Sequence, residues 1–210
     1  MTKYTDDVAH AMTEDHQQPY SFLGLHTDKK SGYLIINTLQ PNADNVAIIN
    51  KDSQKVIAEL TPVNNQGLFS KKLTRKKHFA YQLKITKNNS SHIIDDPYAF
   101  EPTLGELDLH LLSEGSHQKP YQKLGAHCCV HQGVEGTAFS VWAPNASQVA
   151  VVGDFNHWDG RQHPMRNVAF SGFWNLFIPA ITPGNLYKFE LKDIKNARIL
   201  ALLGDSVTTD

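Results

Sequence analysis

At 210 residues, with 40% hydrophobic, 10% aromatic and 20% charged residues, the chain has an ordinary globular composition and the length for one large or two modest cores. A formal net charge of −1 excludes the basic footprint of a nucleic-acid binder, and no run approaches the roughly 18 apolar residues of a membrane span, so neither partner is expected. Met1 to His10 carries Asp6 and Asp7 without an apolar core, so no export signal is read there; the adjacent cysteines Cys128 and Cys129 fit a reducing cytoplasm.

In chain order, Thr5 first caps a short predicted helix over 5–12. Runs rich in β-formers follow at 33–37, 45–50, 56–60, 68–73 and 79–85, separated by the turn residues Pro41-Asn42, Asn64-Asn65-Gln66-Gly67 and Lys87-Asn88-Asn89. The basic residues Lys71, Lys72, Arg75, Lys76 and Lys77 read as the solvated edge and turn of a hairpin. Thr103-Leu104-Gly105-Glu106 has capping-box spacing, and Leu104, Leu107, Leu111 and Leu112 fall at helical intervals before Gly115. That segment is predicted to bridge two domains, with the boundary over 113–120. Beyond it, 138–142, 149–153, 174–178 and 187–192 are again strands.

The two series of strands are one series repeated. Tyr20, Leu23, Gly24 and His26 recur as Tyr121, Leu124, Gly125 and His127. Pro41-Asn42-Ala43 recurs as Pro144-Asn145-Ala146, Gly67-Leu68-Phe69 as Gly172-Phe173-Trp174, and Tyr81-Gln82-Leu83-Lys84 as Phe189-Glu190-Leu191-Lys192. The order never breaks, and the offset grows only by small loop insertions. The pattern predicts an all-β fold of two tandem immunoglobulin-like β-sandwiches joined by a short helical linker.

Chemistry is sparse. His127 and His131 flank the two cysteines, but Gly125, Gly133 and Gly136 disfavour a helix there and no second ligand cluster appears. A zinc site needs four ligands at characteristic spacing, so no metal and no cofactor are expected. No nucleophile pattern, phosphate loop or facing carboxylate pair stands out, and no catalytic residue is assigned. The informative stretch is the turn from Val151 to Gly160, which carries Asn156, Trp158 and Asp159. Trp158 has two readings: a plug on the core, or an exposed face for a sugar ring, with Asn156 and Asp159 orienting a polyhydroxylated ligand. The corresponding residues of the first copy, Asn50-Lys51-Asp52, include no aromatic, so only the second copy is a candidate binder.

Those residues carry a resemblance. Phe139-Ser140-Val141-Trp142-Ala143-Pro144-Asn145-Ala146, the run Val152 to Gly160, and His163-Pro164-Met165-Arg166 resemble the family 48 carbohydrate-binding module of bacterial glycogen branching enzymes. Asp95-Asp96-Pro97-Tyr98-Ala99-Phe100 and Leu111-Leu112-Ser113-Glu114-Gly115 resemble the extra N-terminal domain of the longer members. The resemblance implies that Trp158 and Lys188 contact glucan, and that glycogen chains and the catalytic barrel of the full-length enzyme are the partners of a monomeric chain. The family transfers pieces of α-1,4-glucan to form α-1,6 branches, in a (β/α)₈ barrel that takes about 250 residues. None of its catalytic residues falls in these 210 positions, so the chain alone is expected to be inactive.

The expected organisation is an N-terminal sandwich over 1–113, an incomplete carbohydrate-binding sandwich over 118–193, and a divergent tail over 194–210. The repeat fails after Asp193, where a closing strand and Asp-Pro-Tyr are due; the tail is therefore expected to be out-of-frame sequence. The alternatives are a glycogen-targeting adaptor and a structural pair without ligand.

Overall fold

A computed structural model describes residues 18–192; the predicted helix over 5–12 and the tail over 194–210 lie outside the described residues. The first sandwich is built from β1 (Gly24–Thr27), β2 (Leu34–Leu39), β3 (Asn45–Asn50), β4 (Val56–Glu59), β5 (Thr61–Pro62), β6 (Leu68–Lys72), β7 (Tyr81–Lys87) and β8 (Ser90–Ile94). These form two antiparallel sheets, in the orders β1-β2-β6-β5 and β4-β3-β7-β8. Between the sheets, Leu34 and Ile36 of β2 pack with Val46 and Ile48 of β3 and Leu83 of β7, all fully buried. Alternation sets this face: in β7, Tyr81, Leu83 and Ile85 are buried while the residues between them are not.

The second sandwich repeats the scheme with β9 (Gly125–His131), β10 (Val134–Trp142), β11 (Gln148–Gly153), β12 (Arg166–Asn167), β13 (Phe173–Pro179) and β14 (Tyr187–Lys192). The sheet β9-β10-β13-β12 has the order of β1-β2-β6-β5, and β11-β14 corresponds to β3-β7. The outer side of β11 meets the segment around Pro164 in an isolated bridge at Ala150, where the first copy has β4. Proline has no N–H to continue a ladder there. Among the described residues no strand pairs with the outer edge of β14, whereas β7 is flanked on both sides.

The repeated landmarks are close backbone contacts. Gly67 (φ +90°) lies against Pro41, and a Cβ there would be 2.2 Å from the proline Cα; Gly172 (φ +81°) lies against Pro144 at 2.8 Å. Matching hydrogen bonds run from Gln40 N–H to Gly67 O (2.7 Å) and from Ala143 N–H to Gly172 O (2.9 Å). A buried cross-strand pair also repeats, with its members exchanged: Ser70 donates to Asn37 Oδ1 (2.6 Å) in the first copy, and Asn175 Nδ2 donates to Ser140 (2.9 Å) in the second. The two residues face each other in register in both sheets.

The helix α1 (Glu106–Ser113) forms, but not by the predicted cap. Gly105 is its N-cap, without a side-chain bond. Thr103 is engaged elsewhere: its N–H donates to Asn175 Oδ1 (3.0 Å) and its hydroxyl accepts from Asn175 Nδ2 (2.7 Å). A tertiary partner has displaced the local one. Leu104 and Leu109 pack with Val168 and Phe173 of the second sandwich, while Leu107 is exposed. His127 and His131 stand on β9, their Nε2 atoms bonded to the carbonyls of Leu124 (2.9 Å) and Glu101 (2.9 Å), and no metal-binding group occurs among the described residues.

The sandwiches share one apolar cluster, in which Leu23, Leu39, Leu68 and Tyr98 meet Phe139, Met165 and Trp174. The segment Asp96-Pro97-Tyr98 joins them. Buried Asp96 accepts from the Tyr81 hydroxyl (2.7 Å) and from Tyr98 N–H (3.1 Å). The Tyr98 hydroxyl reaches across to the carbonyl of Pro164 (3.2 Å). Arg166 stacks on Tyr20, 3.6 Å from the ring centroid, and its Nη2 donates to Phe100 O (2.7 Å).

Adding a methyl group at the two repeat glycines is expected to be costly. Gly67→Ala and Gly172→Ala combine left-handed strain of about 1–2 kcal/mol with a backbone clash, and each should lower stability by about 3 kcal/mol. Gly184 (φ +98°) faces open space, so Gly184→Ala should lose only the strain, about 1 kcal/mol. Urea unfolding midpoints of the three variants should show this order.

Candidate functional site

The turn after β11 begins where only glycine fits. A Cβ on Gly153 would lie 2.4 Å from Leu186 O and 2.5 Å from the Phe155 ring. One 3₁₀ turn follows over Asp154–Asn156, and then His157 (φ 55°) and Trp158 (φ 61°) both adopt left-handed backbone. Two consecutive non-glycine residues in that region store strain, which surrounding contacts must hold.

The holding group is the Asn156 side chain, which is 1% exposed. Its Oδ1 accepts from Gly153 N–H (2.9 Å), and its Nδ2 donates to Val151 O (2.8 Å) and to His163 Nδ1 (2.8 Å). Because Asn156 donates, His163 Nδ1 must offer a lone pair, which makes the buried imidazole neutral with its proton on Nε2. Burial pushes the His163 pKa down to about 4. Two backbone bonds close the turn, from Trp158 N–H to Gly153 O (2.9 Å) and from Asp159 N–H to Asn156 O (3.1 Å).

Trp158 is 42% exposed. It is neither a core plug nor a loose side chain: Nε1 donates to Asp154 Oδ1 (3.0 Å), and Lys188 Nζ lies 5.7 Å from its ring centroid. The β11–β14 register places Lys188 opposite Val152, one residue before the turn. Along β14, Lys188, Glu190 and Lys192 share a face by alternation, and Gly160 lies against the Glu190 carboxylate.

Of the four residues expected to meet a ligand, the structure brings Trp158 and Lys188 together with groups open to solvent. Asn156 is spent inside the turn and has no surface to offer. Asp159 is clamped by Arg161, which donates Nε to Oδ1 (2.9 Å) and Nη2 to Oδ2 (2.6 Å) and holds the carboxyl below its usual range. The sequence reading missed Asp154 and His163, whose roles depend on contacts across the turn. Both lie inside the stretches that carry the family resemblance.

Two antiparallel β-sandwiches stand in tandem, and the second presents a pinned, partly solvent-exposed indole at the end of β11. Two family models match the chain, one on each sandwich. Residues 4–98 match the N-terminal domain of the α-1,4-glucan branching enzyme GlgB, and residues 123–203 match carbohydrate-binding module family 48, the isoamylase N-terminal domain. The chain is the N-terminal region of a glycogen branching enzyme, with its carbohydrate-binding module.

Over 195 residues, 93% of its length, the chain is 42% identical to the 1,4-alpha-glucan branching enzyme GlgB of Burkholderia thailandensis, and it spans 23% of that relative. Among solved structures, the group B Streptococcus pullulanase SAP in complex with maltotetraose is 25% identical over 40% of this chain and 12% of its own, with a TM-score of 0.30. A maltotriose complex of a PulA mutant from Klebsiella pneumoniae is 18% identical over 80% of this chain and 20% of its own, with a TM-score of 0.29.

Two buried groups, one in each sandwich, give the chain opposed pH dependences. His163 takes up a proton more readily once unfolded, so its contribution to stability is full above about pH 6.5 and is lost as the pH falls toward 4. Burial pushes Asp96 up from 3.8 to about 6, so its contribution is full at low pH and is lost as the pH rises through 6. Each span of about 2 pKa units corresponds to about 3 kcal/mol, so the two offset one another between about pH 4 and 6.5. His163→Asn should leave stability that falls as the pH rises, and Asp96→Asn stability that falls as it drops. Thermal unfolding midpoints at pH 4.5 and pH 7 would check both signs.

Proposed function

We propose that the chain binds α-1,4-glucan through Trp158 and Lys188 and takes no catalytic part itself. The pinned geometry of Trp158 carries this reading. Its indole is held by Asp154 at one edge and by Lys188 within cation–π range, while part of the ring stays in water. A rigid exposed aromatic loses little side-chain entropy on contact, and a pyranose presents a flat C–H face to it. Lys188 adds three ammonium donors for sugar hydroxyls at the rim. Asn156 serves as a positioning residue, and the Asp159–Arg161 pair lines the side of the turn.

In a full-length branching enzyme this region would hold glycogen chains near a catalytic barrel that cuts α-1,4-glucan and forms α-1,6 branches. Supporting that role are the two family matches in the order expected of such an enzyme and the identity to GlgB along nearly the whole chain. We take the binding unit to be one copy of the chain in the cytoplasm: both strands that frame Trp158 come from one chain, and Cys128 and Cys129 are free thiols.

Affinity electrophoresis through glycogen tests the binding. Trp158→Ala should abolish the retardation of the wild-type chain while lowering its stability by only about 1–2 kcal/mol, for one hydrogen bond and a half-buried ring, so that the protein stays folded. Retardation equal to wild type would refute the reading. Asn156→Ala should also lose retardation, with a loss of stability of about 1–3 kcal/mol from the stranded turn groups.

A further inference from the structure

His157, the residue before Trp158, lines one end of a groove between the two sandwiches that the turn carrying Trp158 does not itself require. Two adjoining hollows, of about 230 and 150 Å³, share Gln40 and Ile85, with His92, on the first sandwich, and Phe155 and Gln162 on the second. Together they fall in the size range of a small-ligand cleft, roughly 300–1,000 Å³. Ile85 and Phe155 give the groove an apolar surface. Asn42, Lys87 and His92 of the first copy, and Gln162 of the second, supply polar ends. None of these four side chains makes a hydrogen bond or ion pair with another described residue, so their donors and acceptors are open.

The groove is also fixed in place. Its floor passes Pro97-Tyr98, and the Tyr98 hydroxyl ties the first sandwich to the carbonyl of Pro164 on the loop that returns from the binding turn. At the other end it is lined by His157, the residue before Trp158 and one Cα spacing of about 3.8 Å away.

We infer that this groove is the continuation of the glucan site: a chain stacked on Trp158 extends past His157 and lies between the two sandwiches, with Asn42, Lys87, His92 and Gln162 bonding its hydroxyls. The inference rests on the Trp158 reading and assigns the first sandwich a share of the binding surface. A ligand long enough to engage both places binds more tightly than one that engages Trp158 alone, because the second contact forms at high effective concentration.

Calorimetric titration of the 210-residue chain with maltotriose and with maltoheptaose separates the two sites. The wild type should prefer maltoheptaose. The double variant Lys87→Ala/His92→Ala, altered at exposed positions, should lose about fivefold or more in maltoheptaose affinity, the equivalent of one hydrogen bond, with maltotriose affinity unchanged. Asn42→Trp, which fills the groove from the first sandwich, should do the same. Undiminished preference for maltoheptaose in both variants would overturn the inference, as would an equal loss for the two sugars. Failure of the Trp158 reading would look different: Trp158→Ala would then bind maltotriose like the wild type, whatever the groove variants do.

Discussion

The amide of Asn156 is the group on which the turn that carries Trp158 depends. Two successive residues with left-handed backbone, His157 and Trp158, cannot hold that conformation by their own preference. Asn156 ties the turn to both Gly153 and Val151 of β11, and its remaining donor is met by a neutral His163. The buried amide is fully satisfied, so the turn is rigid without a ligand. Its burial also leaves it no exposed surface: a side chain that fixes a strained turn from below has no atoms left for solvent.

The support continues beyond the module. His163 is followed by Pro164, whose carbonyl receives the Tyr98 hydroxyl, and Tyr98 N–H is held by Asp96 in the first copy. The first sandwich thus braces the loop that braces the Trp158 turn. Arg166 strengthens the same junction by stacking on Tyr20, although its buried Nε finds no partner among the described residues, which is a local cost. An interface built on buried hydrogen bonds and one shared apolar cluster favours a fixed relation between the copies over a flexible tether.

Much of the architecture was legible in the chain. The repeated Pro-Asn-Ala and Gly-aromatic landmarks were visible because they mark close backbone approaches, where only glycine and a tight turn fit. The apolar strands β3, β7, β11 and β13 announced themselves by burial on both faces or by alternation. The short strands β1 and β12 did not, since four or fewer residues carry little pattern, and neither did β9, whose Gly-Ala-His-Cys-Cys-Val-His run lacks apolar contrast despite its seven residues. The helix α1 was seen, but its cap was misread: Thr103 looks like a local cap until Asn175, 72 positions away, claims it.

The sequence by itself determined the tandem β-sandwiches, the difference between the two copies, and the singular position of Trp158, because strand periodicity and turn chemistry are local. Only the tertiary structure decided that Trp158 faces water and that Asn156 does not. It also decided that Asp159 is occupied by Arg161, and that Lys188 arrives beside the indole. The Asp159–Arg161 pair is local but competes with a ligand for the same carboxylate, whereas the placement of Lys188 turns on the β11–β14 register, which is not written in any single stretch of the chain.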